Sequence, residues 1–385
     1  MQNGSGFGIV KRDPGVGSEL VFYYCIGLLP FCQQMARRFC PSMKDKTGFY
    51  RKVTERCQLC NFCKKNETDG ADTERIGSMN AFLFSGQGSQ TPGMGAELAA
   101  ASPKAKAVFD TASEVLGYDL LKLCREGSAE ELSATEVAQP AILAVSMAAF
   151  ACMEEAGIGC SAVAGHSLGE YAAMAASGIL TLPEAFSLIR LRAEAMGRCA
   201  RAGKGGAMAA IVGSDEETVT KLCEETEGYV VPVNFNAPAQ TVVAGEKEAV
   251  AAVSAKFAEM GKRAVPLAVA AAFHSELMRP AAEEFLPKAK EFTFREPKVP
   301  FYSNLSGRVL ESTGDLAERL ARHIVSPVLF TKELAAMQAA GIDTYVELGP
   351  GKVLSGLVKK TLKGVTILNV ENQKSLEKTL EALKG

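Results

Sequence analysis

Ser167 stands between two glycines in Gly165-His166-Ser167-Leu168-Gly169, a G-x-S-x-G pattern. A serine hydroxyl is a weak nucleophile until a turn exposes it and a base comes within reach. The run Ala162-Val163-Ala164 before the pattern reads as a buried strand, and Glu170 to Ala176 after it reads as a helix. A strand-to-helix turn of that length is so tight that a Cβ at Gly165 or Gly169 would collide. It pushes Ser167 out at the tip, at the positive end of the helix, with the Leu168 N–H free to receive a developing oxyanion. The bland alternative is a glycine-flanked serine in an ordinary loop; the strand before and the helix after favour the functional reading.

A nucleophilic serine needs a base, and the chain has only three histidines. His166 adjoins Ser167, where neighbouring side chains diverge, and reads as structural. His274 lies between a strand and a helix at a domain junction and is the choice for general base, with His323 as runner-up. No Asp or Glu stands out as a third triad member, so the expected arrangement is a Ser-His pair whose imidazole is oriented by a carbonyl from the backbone near His323. A second candidate lies in the helix after Pro183, where Ala185, Leu188, Ile189, Arg192 and Met196 share one face. Arg192 is the only charge in that stripe, while Arg190 falls on another face and reads as solvated. A buried guanidinium suits a carboxylate, which is either a structural Asp or Glu or the carboxylate of a substrate; the residues alone favour the structural partner. The sequence suggests no metal site among these candidates.

The elements that must hold these residues alternate. Ala81 to Phe84 reads as a short buried strand, followed by the glycine-bearing loop Ser85-Gly86-Gln87-Gly88-Ser89-Gln90, which is free to aim the Gln87 N–H at the oxyanion that Leu168 serves. As a phosphate-binding G-x-G-x-x-G the loop fails, because position 91 is Thr. Ser102-Pro103 caps a helix to about Leu116, and Ala138 to Gly157 gives a long apolar helix. After a linker at Gly203 to Gly206, a strand (Ala207–Val212), a helix (Asp215–Glu225), strands at Tyr229–Asn234 and Thr241–Ala244, a helix (Lys247–Met260) and a strand (Arg263–Val269) follow. That βαββαβ order is the order of a ferredoxin-like unit, inserted in a larger domain. Tyr345 to Leu348 then reads as a last central strand, Gly349-Pro350-Gly351 as a tight turn and Lys352 to Leu362 as a helix.

Composition sets the frame. The 385 residues suggest two or three structural units; 47% are hydrophobic, 22% are charged and the formal charge is -2, an ordinary soluble balance with no basic stripe for nucleic acid. Six of eleven cysteines fall in residues 1–78, where Lys+Arg number 12 against 8 Asp+Glu, so two unlike sequences meet near Met79. Leu20 to Cys32 resembles a signal-peptide core but is too short to span a bilayer, has no cleavage site and makes a poor lipoprotein box. Cys57-x-x-Cys60-x-x-Cys63 has the spacing of three iron-sulfur ligands without the fourth cysteine or its following proline; Cys40 could complete a set for zinc or iron. The favoured expectation is that residues 1–78 form a disordered extension or an over-called start, with translation beginning at Met79 behind the purine-rich codons available to Glu74-Arg75. The five later cysteines suit reduced thiols in a cytoplasm.

Taken together, Phe84-Ser-Gly-Gln-Gly-Ser-Gln90, Gly165-His-Ser-Leu-Gly-Glu-Tyr171, Arg192, Asn234-Phe-Asn236, Phe273-His274-Ser275 and Val346-Glu-Leu-Gly-Pro-Gly-Lys-Val-Leu354 resemble the malonyl-CoA:acyl carrier protein transacylases of bacterial fatty-acid synthesis. The resemblance runs from Met79 to the C-terminus. It implies an α/β-hydrolase-like core (residues 79–204 and 271–385) with a ferredoxin-like insert (205–270), and transfer of malonyl from malonyl-CoA to holo acyl carrier protein without a cofactor, since the CoA thioester is a substrate. Ser167 would carry the malonyl ester, His274 would move the proton, and the Gln87 and Leu168 N–H groups would hold the oxyanion. Arg192 would pair with the malonyl carboxylate, against the structural reading above. Phe273 would crowd a methylmalonyl branch, and Asn236 would belong to the substrate site. Where the family usually has Gln this chain has His323, whose backbone carbonyl would orient His274 and whose imidazole would alter the pH profile. Arg190, Arg198, Arg201, Lys204 and Lys352 are candidates to meet an acidic carrier protein. A cytoplasmic location is expected, with no membrane or nucleic-acid partner. A serine esterase or thioesterase is the alternative activity and would usually supply a triad acid; a non-catalytic carrier-docking module is a third.

Overall fold

The computed structural model describes residues 79–203, 206–269 and 271–384. The expectations for residues 1–78, including the signal-like run and the clustered cysteines, and for Lys204 lie outside the described residues.

The chain opens with β1 (Asn80–Phe84), whose Ala81 to Phe84 are all buried. Continuous burial is what a central parallel strand covered on both faces requires. Five helices follow: α1 (Ala96–Ala101), α2 (Pro103–Leu116), α3 (Leu120–Glu126), α4 (Ala129–Ser133) and α5 (Thr135–Glu155). Ser102 accepts the Ala105 N–H at 3.1 Å and caps α2 with Pro103 in its first turn, as the sequence suggests. α5 is long and apolar enough to cross a bilayer by length and composition, yet most of it is buried inside this protein, as the core helix of a globular fold would be. The second strand, β2 (Ala162–Gly165), runs into α6 (Gly169–Ser177), and α7 (Leu182–Ala202) follows behind a capping box formed by Thr181 and Glu184.

β1 and β2 pair in parallel with Phe84 opposite Gly165, and β1 pairs in parallel with β9 (Thr344–Leu348) on its other side. β9 is therefore central, as expected, but it is not the last strand. β10 (Thr366–Val370) adds in parallel beyond it, giving the order β10-β9-β1-β2. Its first residue is exposed and the next three are half-buried, so the uninterrupted burial that marks the other strands is missing.

Between α7 and the C-terminal strands the chain builds a separate antiparallel sheet. β3 (Ala207–Val212), α8 (Glu216–Glu224), β4 (Val230–Ala237), β5 (Gln240–Gly245), α9 (Lys247–Glu259) and β6 (Arg263–Pro266) follow the expected order of types, and the strands lie as β4-β5-β3-β6. The last strand ends at Pro266 rather than Val269. It covers its own apolar cluster around Ile211, Val219, Val253 and Phe257. The chain then continues through α10 (Arg279–Ala289), the short pair β7 (Tyr302–Ser303) and β8 (Arg308–Val309), α11 (Leu316–His323), α12 (Phe330–Ala339), β9, α13 (Val353–Thr361), β10 and α14 (Gln373–Lys384). The fold is thus mixed α/β with a parallel core sheet.

Candidate active site

The turn between β2 and α6 is as tight as its glycines demand. A Cβ on Gly165 would lie 2.0 Å from the Gly169 carbonyl carbon, and one on Gly169 would lie 2.2 Å from the Phe84 carbonyl oxygen, so no side chain fits at either. Ser167 adopts φ 54°, the left-handed region that costs a non-glycine residue about 1–3 kcal/mol and persists only when its surroundings hold it. Those surroundings centre on Asn304, at the end of β7. Its Oδ1 accepts the Ser167 N–H at 2.6 Å, its Nδ2 donates to the Gly165 carbonyl and to Glu333 Oε1, both at 2.7 Å, and its own N–H donates to Glu170 Oε1 at 2.7 Å. Glu170 and Glu333 are both buried, and burial raises the Glu333 carboxyl well above the ordinary range, with the Glu170 charge adding to the effect.

His274 is the other described non-glycine residue with a positive φ, at 62°. Its Nε2 lies 2.7 Å from Ser167 Oγ, and its Nδ1 faces two carbonyls, His323 at 2.9 Å and Ser326 at 3.1 Å. Carbonyls only accept, so the ring proton sits on Nδ1 and the Nε2 lone pair faces the serine hydroxyl. Burial, followed by the nearby His323 and Arg192, holds this imidazole well below its ordinary value, so at neutral pH it is an uncharged base.

Arg192, on α7, is 1% exposed. Its Nη2 donates to Ser167 Oγ at 3.1 Å, its Nη1 donates to Gln139 Oε1 on α5 at 2.7 Å, and it lies 5.6 Å from the centre of the Tyr171 ring. Among the described residues no carboxylate forms an ion pair with it, so the structural Asp or Glu partner that the residues alone favour is not there. A guanidinium held out of water by one neutral amide is a costly arrangement, and it leaves donors facing the serine for an anion to use.

A serine, a base and an unpaired cation at one point are the parts of an acyl-transfer site, and comparison with known proteins agrees. The acyl transferase domain model matches residues 81–379. A malonyl CoA-acyl carrier protein transacylase of Bacillus subtilis (strain 168) is 42% identical over 308 residues, covering 79% of this chain and 97% of that one. The chain belongs to the malonyl CoA-acyl carrier protein transacylase family. Among solved structures, the malonyl CoA-acyl carrier protein transacylase of Clostridium perfringens matches with a TM-score of 0.77 at 36% identity, over 80% of this chain and 98% of that one. A second match, with a TM-score of 0.76 at 38% identity over 79% of this chain and all of its counterpart, is a complex of a type II PKS acyl-carrier protein with its malonyl-transacylase.

In this member of the transacylase family the remaining predicted residues are placed unevenly. Gln87 follows β1 in the loop beside the elbow, where Gly86 packs against His166 and the His166 N–H donates to the Phe84 carbonyl at 3.0 Å. Neither the Gln87 N–H nor the Leu168 N–H has a hydrogen-bond partner among the described residues. Phe273 is buried immediately before His274. Asn236, expected in the substrate site, instead meets His166 Nε2 through its Oδ1 at 2.7 Å, a contact that fixes the neighbour of the serine rather than reaching the serine itself. His323 brings its carbonyl to His274, and its own ring meets Glu170.

The basic candidates for carrier binding are mostly engaged. Arg190 is half-buried rather than fully solvated: its Nη1 donates to the Val115 carbonyl at 2.9 Å, because α2 lies against that face of α7. Arg198 pairs with Glu284, Arg201 with Glu136 and Lys352 with Glu371. Sequence reasoning missed Asn304, Glu170, Glu333 and Gln139. Glu333 had a findable signal, because it shares a helical face with Phe330, Leu334 and Met337 as Arg192 shares one with its apolar neighbours.

Proposed function

We propose that this protein transfers the malonyl group of malonyl-CoA to the phosphopantetheine thiol of an acyl carrier protein, through an ester on Ser167. The Ser167 hydroxyl attacks the thioester carbonyl while its proton passes to His274 Nε2. The Gln87 and Leu168 N–H groups receive the oxyanion, and the tetrahedral species collapses as His274 returns the proton to the departing CoA sulfur. The carrier thiol then attacks the ester by the same steps in reverse, its proton going to His274 and back to Ser167. The free malonyl carboxylate pairs with Arg192 throughout. Serine ester and thioester are close in free energy, so the protein's work is to exclude water and hold the charge that develops. None of these steps calls on a cofactor.

The observation that carries this reading is Arg192: a buried guanidinium beside the nucleophile, with no acidic partner among the described residues. A carboxylate-free acyl group would leave that cation uncompensated. An esterase with a full triad is the weaker reading, since both groups at His274 Nδ1 are carbonyls. We read residues 79–204 and 271–385 as an α/β-hydrolase-like core, on the elbow and the parallel sheet, and 205–270 as a ferredoxin-like insert, on its strand order. The free thiols of the five described cysteines support a cytoplasmic setting. No membrane or nucleic-acid partner enters this reading.

The test is the intact mass after brief exposure to malonyl-CoA without acceptor, with peptide mapping. A malonyl adduct on Ser167 that persists in water and leaves when holo carrier protein is added supports the transfer. Rapid release of free malonate with no adduct replaces it with hydrolysis.

A further inference from the structure

His323 contributes more than a carbonyl. Its ring is 3% exposed and its Nδ1 lies 2.9 Å from Oε2 of Glu170, which is equally withdrawn from water. The same ring sits 4.9 Å from the His274 ring, centre to centre. Its second nitrogen, Nε2, has no partner among the described residues, so Glu170 alone fixes the orientation of the ring. Glu170 is in turn anchored by the Asn304 N–H, which ties this pair to the floor of the elbow.

A carboxylate buried with both oxygens engaged favours a cationic partner, and among the described residues the ionisable group against its Oε2 is this imidazole. We propose that the His323 side chain, clamped by Glu170, is a positioning residue for His274 and supplies a positive charge that keeps that ring an unprotonated base. The sign follows from like charges: a cation beside His274 opposes its protonation.

The other charged groups around His323 are few. Glu170 approaches from α6 and His274 from the loop before α10. His166 lies beyond them, and its ring is held below the ordinary value chiefly by burial, with Asn236 and His323 as lesser influences. Glu333, on α12, accepts from Asn304 Nδ2 and has its carboxyl raised well above the ordinary range by burial, and Arg192 acts on His274 from α7. Along α11, Glu318 pairs with Lys290 at the surface, and the neighbouring α10 turns Glu284 and Lys288 outward to each other.

The protein carries only three histidines, so an NMR titration of ring-labelled full-length protein resolves each imidazole, with His274→Gln assigning the signal of interest. His323→Gln keeps a donor for Glu170 and removes the ionisable ring. Glu170→Gln keeps an acceptor for the Asn304 N–H and removes the negative charge. We expect the His274 midpoint to move up by about half a pH unit or more in each variant, and the double variant to move no further than either single one. A His274 midpoint that stays put in both variants overturns the proposal, as does a downward move. The inference rests on His274 being the base, and the two can fail separately. If the midpoint moves but the acid limb of the Ser167 malonylation rate does not follow it, the role of His274 is wrong while the coupling stands. Should one variant fail to fold, the other carries the same readout.

Discussion

Two buried ionisable side chains, Glu170 and Arg192, belong to the surroundings of Ser167, and they are treated in opposite ways. On the floor, Glu170 has both oxygens engaged, by the Asn304 N–H and by His323. On the wall, Arg192 has one neutral amide and the serine hydroxyl itself. A matched charge holds a conformation, whereas an unmatched one beside a nucleophile is free for something that arrives from outside. On the function proposed above, the difference separates residues that build the site from those that would select its substrate.

The largest effect should come from the point where floor and wall meet. Ser167→Ala removes the acyl acceptor, and we expect malonyl transfer to fall by about 10⁴-fold or more with no mass adduct, while thermal stability holds, because alanine keeps the Cβ and the Ser167 N–H contact that set the backbone here. Residual adduct formation at another site would break the assignment. On the wall, Arg192→Gln should lower kcat/KM for malonyl-CoA by about 10²–10³-fold, because the substrate carboxylate loses its partner. Transfer from acetyl-CoA should not fall, and stability should be kept. A parallel loss for both acyl donors would show that Arg192 belongs to the floor.

On the floor, Asn304→Ala leaves the Ser167 N–H, the Gly165 carbonyl and the Glu333 carboxyl short of partners. A cost of about 2–4 kcal/mol in stability is expected, with activity on both acyl donors falling together. Thermal unfolding beside a two-substrate assay decides it. The mildest effect is Glu333→Gln. The native Glu333 keeps its proton in the folded state above the ordinary value of 4.5, so as pH rises from there the unfolded chain releases a proton that the folded one must retain, and stability falls. Gln cannot ionise, so its stability relative to wild type should grow steadily from about pH 4.5 toward neutrality and vanish in acid. A difference independent of pH would mean that the group is charged where it sits.

The sequence is legible on the wall and opaque on the floor. Ser167 announces itself through two glycines that exclude a Cβ, and Arg192 through being the one charge on an apolar helical face. His274 was found because only three histidines exist. The helices and strands that carry these residues follow from periodicity and capping, with ends off by a few residues. Asn304 gave no signal, since Asn304-Leu305-Ser306-Gly307 reads as a surface turn, and its partners lie 137 and 139 residues away in the chain. Glu170 sits in a first helical turn, where the helix dipole alone accounts for an acidic residue. Its real partner, His323, is fixed only when α11 folds across. Whether Arg198 or Arg201 is ion-paired depends on which glutamate the fold brings opposite, and that is not written in local spacing.

Arg192 is carried by α7 and steadied from α5, whereas the elbow is steadied by Asn304, next to β7, and by Glu333 on α12. The two fastenings share no residue. If Arg192 is the malonyl clamp we propose, change at Gln139 and along the contact between α5 and α7 can tune substrate choice while the Asn304 and Glu333 contacts that hold the elbow stay in place. A lineage or a mutant library that varied only the contact between α5 and α7 would explore new acyl groups on an elbow whose own supports are unchanged, which makes this protein a favourable starting point for altered extender-unit selection.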